Sequence, residues 1–349
     1  MSTDSSASGR LPTLEDVAQV AGVSRATVSR VINNTRNVDA QLHEVVWRAV
    51  TETGYVPNRA ARSLVTRRTG TIALVVSDSE SHEDDPFMSR LLGDPFFGRV
   101  VGGLFSVLRP KGLQLALQLV GTQDARAQLV GDLRQGQADG AVVLSLHPED
   151  SLPGLLVEAD VAAVLVGRPA HPLPISFVDL ANDKGASLAA GHLISRGCHR
   201  IAMISGPVDV PASQDRIAGF RQTMARHGNA YFPAEVGNFT YDSGEQAMMR
   251  LIREHPDVDG VFVANDLMAQ GALMALRDAG RRVPEDVAVI GFDDSSAALA
   301  ARPALTTIRH PLEDMAAESA RLLLARIDDP TLRVTSVIFE PTLVLRQSA

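Results

Sequence analysis

The chain has 349 residues, 45% hydrophobic and 21% charged, with a formal net charge of −8. That length suits two or three domains, and the apolar fraction excludes a disordered or fibrous chain. One cysteine, Cys198, excludes an internal disulfide and argues against a cysteine-based zinc site, so neither a metal nor a cofactor is expected. No apolar run is long enough to span a membrane, and the Ser-rich start, Met1 to Gly9, has no apolar signal segment, so a cytoplasmic location without a membrane partner is expected.

The charge is unevenly placed. Residues 10–68 hold nine arginines against five acids, a net +4, and with Asp4 in the tail this leaves −11 for residues 69–349. Arginine's planar fork suits guanine edges and phosphates. The polarity is that of a small anion-binding module on an acidic body, although a solvated basic face gives the same sum.

In chain order, residues 1–10 read as a disordered tail. Thr13 precedes Leu14, Val17, Ala18 and Ala21, an apolar helical stripe, and forms an approximate capping box with Asp16. Gly22 stops this helix. Ser24 is the candidate cap of a second, Arg25 to about Ile32, with Val28, Val31 and Ile32 turned inward. Two short helices joined at a glycine make a helix-turn-helix. A third helix, Asp39 to Thr53, closes the unit with Leu42, Val45, Val46, Ala49 and Val50, and Gly54 and Pro57 end it. In such a unit the second helix enters the major groove N-terminus first. Arg25 and Ala26 are therefore the candidate base readers, with Thr27, Ser29, Arg30 and Asn33 in reach of bases or phosphates and Thr13 and Ser24 at the helix starts. After Pro57, residues 58–69 are short, basic and helix-permissive. They read either as a flexible linker or as a hinge that orders on DNA, with Leu64 as a minor-groove wedge.

These residues, TLEDVAQVAGVSRATVSRVIN followed by GYVPNRAARSL, resemble the lactose repressor/galactose repressor (LacI/GalR) family of bacterial regulators. The resemblance implies a homodimer on near-palindromic double-stranded operator DNA, with Asn58, Arg59, Ala61 and Leu64 as the hinge contacts. Trp47, the only tryptophan, stands where the family is usually polar.

From Gly70 on, apolar runs (71–77, 113–120, 140–146, 161–167, 201–205, 260–264, 287–291) alternate with helical segments (97–110, 123–135, 182–196, 214–227, 243–255, 267–279). Short apolar strands with crossover helices mean parallel sheets covered on both faces, and about 280 residues suit two such lobes. These folds bind ligands beyond the carboxyl ends of their strands. There the chain places Asp94, Phe96 and Phe97, then Arg216, Asn265 and Asp293. Carboxylate, guanidinium and amide groups fork onto vicinal hydroxyls, and an aromatic face covers a sugar's C–H face. Each also has a plainer reading: a helix cap for Asp94 or Asp293, an ion pair for Arg216, core for Phe96, Phe97 and Phe239.

The resemblance continues to Arg346 through GPVDVPASQDRIAGF, VFVANDLMAQGALMAL, VPEDVAVIGFDD and LTTIRHP, which are similar to the family's periplasmic-binding-protein-like effector core. It implies that Arg216, Asn265 and Asp293 hydrogen-bond the effector and that Phe239 packs on it. Asp94, Phe96 and Phe97 match the motif opening the first helix, where Asn-Pro is common. Val210 and Ala212 replace the basic residue and threonine of purine-binding members, which favours a sugar. Between Asp78 and Asp94 the chain carries an acidic stretch, His82-Glu83-Asp84-Asp85, longer than the usual connection. It reads as a solvated rim loop rather than a metal site.

The fold expected is multi-domain: an all-α helix-turn-helix domain over 11–57, a hinge over 58–69, and a two-lobed α/β effector and dimerisation domain over 70–349. Lobe 1 is expected at about 70–178 and 306–330, lobe 2 at about 179–303 and 333–346, with crossings near 178–180, 302–305 and 329–332. No nucleophile elbow, P-loop or paired metal spacing is found, so no enzyme is expected. The expected function is a repressor of sugar-catabolic or uptake genes, released from its operator by a small effector. Alternatives are a regulator whose ligand acts as corepressor and a sugar-binding protein without a DNA role.

Overall fold

In the computed structural model, residues 11–32, 39–56, 68–77, 93–145 and 147–349 are described. They fall into two units, residues 1–69 and 70–349.

The first unit holds α1 (Leu14–Ala21), α2 (Arg25–Ile32) and α3 (Ala40–Thr53). The capping box at α1 is complete: Asp16 accepts from the Thr13 N–H at 2.7 Å, and the Thr13 hydroxyl accepts from the Asp16 N–H. Gly22 and Gly54 end α1 and α3 in the left-handed conformation that only glycine adopts freely. Ser24 caps α2 by accepting from the Thr27 N–H at 3.1 Å. Val17, Ala18, Val28, Val31, Ile32, Val46, Ala49 and Val50 form the core. Val45, expected inside, is exposed, because α3 presents only its 46/49/50 stripe to the hairpin.

The second unit has two six-stranded sheets. Its elements are β1 (Thr71–Ser77), α4 (Pro95–Leu108), β2 (Gln114–Val120), α5 (Gln123–Arg134), β3 (Gly140–Ser145), α6 (Leu152–Glu158), β4 (Ala163–Val166), β5 (Ser176–Leu180) and α7 (Asn182–Ser195). Then come β6 (Ile201–Ser205), α8 (Pro211–Arg226), β7 (Ala234–Val236), α9 (Tyr241–Glu254), β8 (Gly260–Val263), α10 (Asp266–Asp278) and β9 (Ala288–Asp293). The unit closes with α11 (Ser296–Ala300), β10 (Thr306–Arg309), α12 (Leu312–Asp328), β11 (Ser336–Phe339) and β12 (Thr342–Val344). The lobe 1 sheet runs β11-β5-β4-β3-β1-β2, all parallel. The lobe 2 sheet runs β12-β10-β9-β8-β6-β7, parallel except for β12. Strands buried on both faces read as continuous apolar runs, so the central ones were legible in sequence.

Three boundaries differ from expectation. The 306–330 segment does not belong wholly to lobe 1: Thr306–Arg309 pairs with β9 in lobe 2, its threonines buried, and the chain crosses at His310–Pro311 into α12. The 333–346 segment does not belong wholly to lobe 2 either, because it forms two strands. β11 joins β5 in lobe 1, and Glu340-Pro341 breaks the run before β12 joins lobe 2. The first crossing falls at Ala181, after β5. The lobes are thus linked at Ala181, His310–Pro311 and Glu340–Pro341.

Helix α4 lies close against α12. A Cβ added at Gly103 would overlap the Glu313 carbonyl and the Ala316 side chain, whereas Gly102 faces open space. Gly103→Ala is therefore expected to lower the urea-unfolding stability by about 1–3 kcal/mol through overpacking. Gly102→Ala is expected to leave it unchanged or raise it by up to about 1 kcal/mol. Equal stability of the two variants would show that the helices do not meet there.

Candidate functional site

On α2 the buried stripe Val28, Val31, Ile32 leaves the opposite side outward: Arg25, Ala26 and Arg30 are exposed, and Thr27 and Ser29 half-buried. Arg25 Nε reaches Glu15 Oε1 at 3.0 Å, with both side chains largely in solvent, so the pair is weak and readily exchanged for a phosphate or base. The Thr13 and Ser24 side-chain oxygens are engaged in their caps, which hold the N-terminus of each helix in place. Asn33, Asn58, Arg59, Ala61 and Leu64 lie outside the described residues, as does the acidic 79–92 stretch. Trp47 is 40% exposed on α3, its indole N–H donating to His43 Nε2 at 3.3 Å.

In the second unit, the residues singled out at strand ends converge at the carboxyl edge of the lobe 2 sheet and the start of α4. Arg216 is 5% exposed on α8. Its guanidinium lies 3.6 Å over the Phe292 ring; Nε donates to Asn182 Oδ1 at 2.9 Å and Nη1 to the Ala264 carbonyl at 2.5 Å. Nη2 stands 4.0 Å from Asp293 Oδ1, beyond hydrogen-bond length. Donor and acceptor thus face each other at a spacing that adjacent hydroxyls of a ligand can bridge.

Asp293 ends β9 with φ 115°, a conformation disfavoured for any residue but glycine. Its neighbour Asp294 turns away to Arg309 (2.8 Å) and Arg346, so the two adjacent carboxylates serve different partners. Burial works against the Asp294 charge, but the bonds from Arg346 and Arg309 hold its carboxyl below the ordinary range. Asn265 caps α10 by accepting from the Met268 N–H at 2.9 Å, and its amide donates to the Phe239 carbonyl at 3.0 Å. It thereby holds Phe239, at φ 68°, with its ring against Gly206, where a Cβ would collide with it.

Asp94 caps α4, accepting from the Phe96 N–H at 2.9 Å. Burial, with a further push from Asp293, raises its pKa to about 6. Phe96 is half-buried, its ring 6.0 Å from His310. Phe97, expected as a ligand contact, points inward instead: it is 6% exposed within the lobe 1 core, because successive residues at a helix start face different sides.

Four groups escaped the sequence reading. Asn182 orients Arg216. Asp266 is fully buried, accepting from the Ser295 N–H and hydroxyl and from Thr307. Burial and the Asp293 charge hold its carboxyl well above the usual range. His310 sits with Nδ1 3.3 Å from Asp293 Oδ1 and Nε2 buried without a partner among the described residues. Burial lowers its pKa, so the neutral ring donates through Nδ1 and leaves Nε2 to accept. Arg99, on α4, forks onto Glu313 at 2.7 Å through Nε and Nη2. Their common signal is a polar residue at a junction between strand and helix, which carries meaning only once distant junctions meet. Across the cleft Arg168, after β4, pairs with Asp215 of α8 at 2.5 Å, and His147 lies 3.8 Å from Asp209. Cys198 donates its thiol to the Asp259 carbonyl, and burial pushes it up to about 11, which suits a structural thiol.

A reading helix on a compact three-helix unit, together with a polar cleft between two α/β lobes, is the construction of a ligand-controlled DNA-binding regulator. Residues 13–58 match the model of the bacterial regulatory proteins of the lacI family, and residues 190–349 that of a periplasmic binding protein-like domain. The HTH-type transcriptional regulator CelR of Thermobifida fusca is 45% identical over 343 residues, covering 97% of this chain and 98% of its own. The HTH-type transcriptional regulator GalR of Escherichia coli K12 is 34% identical over 345 residues, covering 97% and 96%. Among solved structures, a CelR–cellobiose complex is 42% identical with a TM-score of 0.74, covering 97% of this chain and all of that one. A lac repressor dimer bound to operator and the anti-inducer ONPF is 26% identical with a TM-score of 0.81, covering 97% and 99%. The chain belongs to the LacI family, and it is a transcriptional regulator rather than an enzyme, as its sequence led us to expect.

Because folding favours the protonated form of Asp94, stability falls as pH rises from the ordinary aspartate value, 3.8, to about 6 and levels off above it. Asparagine keeps the cap without the charge. In denaturant titrations between pH 4 and 7.5, Asp94→Asn is expected to gain on the wild type by on the order of 2 kcal/mol across that window. A pH-independent difference would place Asp94 in water.

Proposed function

We propose that the chain binds operator DNA through α2, Arg25 and Ala26 reading bases and Thr27, Ser29 and Arg30 supporting them, and that a sugar bound between the lobes releases it. Thr13 and Ser24 set the helix termini against the phosphates, and Asn33, Asn58, Arg59, Ala61 and Leu64 extend the contact on the strength of the family resemblance. The observation that carries the effector reading is the facing pair Arg216 Nη2 and Asp293 Oδ1, unbonded at 4.0 Å and bordered by Asn265, Phe239, Phe96 and Asp94. The likeness to CelR makes cellobiose the first ligand to test, for the repression of sugar-catabolic or uptake genes. A carboxylate and a guanidinium suit a neutral polyol better than an anion, which Asp293 would repel. Ligand shifts the lobes only through its differential affinity for their arrangements.

A homodimer fits the surface. Phe105, Leu117 and Leu119 are exposed on α4 and the edge strand β2 of lobe 1, and Met249 and Leu299 on lobe 2, apolar side chains that a second copy of the chain would cover. DNA as the partner supports a cytoplasmic location, and no described helix is long and apolar enough to cross a membrane.

The test is fluorescence anisotropy on the DNA upstream of its own gene, with and without cellobiose and a panel of other sugars. Arg25→Ala is expected to cost about 1–3 kcal/mol of discrimination between this fragment and base-substituted ones. Asp293→Ala is expected to bind DNA normally and to ignore the sugar. Tighter DNA binding with sugar would make the ligand a corepressor. An Asp293→Ala protein that responds like the wild type would remove the site assignment.

A further inference from the structure

The arginine at position 99 joins parts of the molecule that belong to different lobes. It stands one turn into α4, a lobe 1 helix that Asp94 caps. Its side chain is 16% exposed and every nitrogen is engaged: Nε and Nη2 with the Glu313 carboxylate at 2.7 Å each, Nη1 with the Asp293 carbonyl at 2.9 Å, and Nη2 also with the His310 carbonyl at 2.7 Å. Asp293 is the last residue of a lobe 2 strand, and His310 lies at the crossing between lobes. The two carbonyls that Arg99 grips are therefore those of the two residues whose side chains, the Asp293 carboxylate and the His310 ring, line the effector cleft from lobe 2. Asp293 keeps its positive φ while its carbonyl accepts from both Arg99 Nη1 and the His310 N–H. Helix α4 is packed through Gly103 onto α12, the helix that carries Glu313, so any turn of the Asp293 peptide moves a donor anchored on both lobe 1 helices.

We propose that Arg99 is the positioning residue through which effector occupancy at Asp293 and His310 is transmitted to lobe 1. This rests on the effector site proposed above. The effector does not touch Arg99. It draws on the Asp293 carboxylate and the orphan His310 Nε2, and the attached peptide carbonyls pass the change to the guanidinium and so to α4 and α12. The planar fork is what the role requires: four bonds in two directions from one rigid group. A lysine keeps the charge but offers a single point of contact, so it cannot hold both carbonyls and the carboxylate in register.

The experiment compares wild type, Arg99→Lys, Glu313→Gln and Asp293→Ala as full chains, with cellobiose as the sugar and the upstream DNA as the probe. Two quantities are read: cellobiose affinity by calorimetry, and the ratio of DNA dissociation constants with and without saturating cellobiose. Wild type is expected to show a ratio of roughly ten or more. Arg99→Lys is expected still to bind cellobiose, with a ratio fallen to within about two-fold of one. Glu313→Gln, which keeps the shape and loses the ion pair, is expected to fall in between. A residue that only stabilises the fold would lower the melting temperature and leave the ratio intact, so a ratio equal to that of wild type in both variants overturns the proposal. If Asp293→Ala binds cellobiose and responds like the wild type, the effector site itself is wrong and the transmission falls with it.

Discussion

The acidic body is organised around a cation that is out of water. Arg216 is covered by Phe292 on one side and enclosed by α8, and a guanidinium in that position is tolerated only where its donors are used and negative charge lies near. Asn182 and the Ala264 carbonyl take two of its nitrogens, and Asp293 and Asp179 supply the charge. These partners come from the ends of β5, β8 and β9 and from the start of α7. The polar cluster is thus a consequence of several strand ends meeting one buried charge, with Arg216 Nη2 and Asp293 Oδ1 facing each other at 4.0 Å.

The same requirement explains the unusual backbone beside it. Asp293 must turn its carboxylate to Arg216 and His310 while Asp294 turns to Arg309 and Arg346, which a regular strand exit does not permit. The positive φ of both residues is the local cost. It is offset by bonds from two lobes: the Asp293 carbonyl accepts from Arg99 of lobe 1 and from the His310 N–H at the crossing.

The three-helix unit was legible in sequence because its signals are local: caps at Thr13 and Ser24, glycines at 22 and 54, and an apolar stripe at helical spacing. The central strands were legible for a similar reason. What was missed is non-local. Strand β10 holds two threonines, Thr306 and Thr307, buried only because β9 and the final residues cover them, so nothing in the run itself separates it from a loop. Phe96 and Phe97 are adjacent and chemically alike, and only packing decides that Phe97 is core. His310, Asn182, Asp266 and Arg99 each depend on partners tens to hundreds of residues away, whereas Arg216, Asn265 and Asp293 could be singled out as candidates because strand ends and the family motif point to them.

In the mechanism proposed above, sugar and operator compete through one conformational equilibrium, and such coupling is reciprocal. The most direct measurement is cellobiose affinity, determined once on the free protein and once on protein saturated with its upstream DNA. Weaker binding on DNA is expected, by the same factor by which cellobiose weakens the DNA complex. Equal affinity in the two states would contradict it.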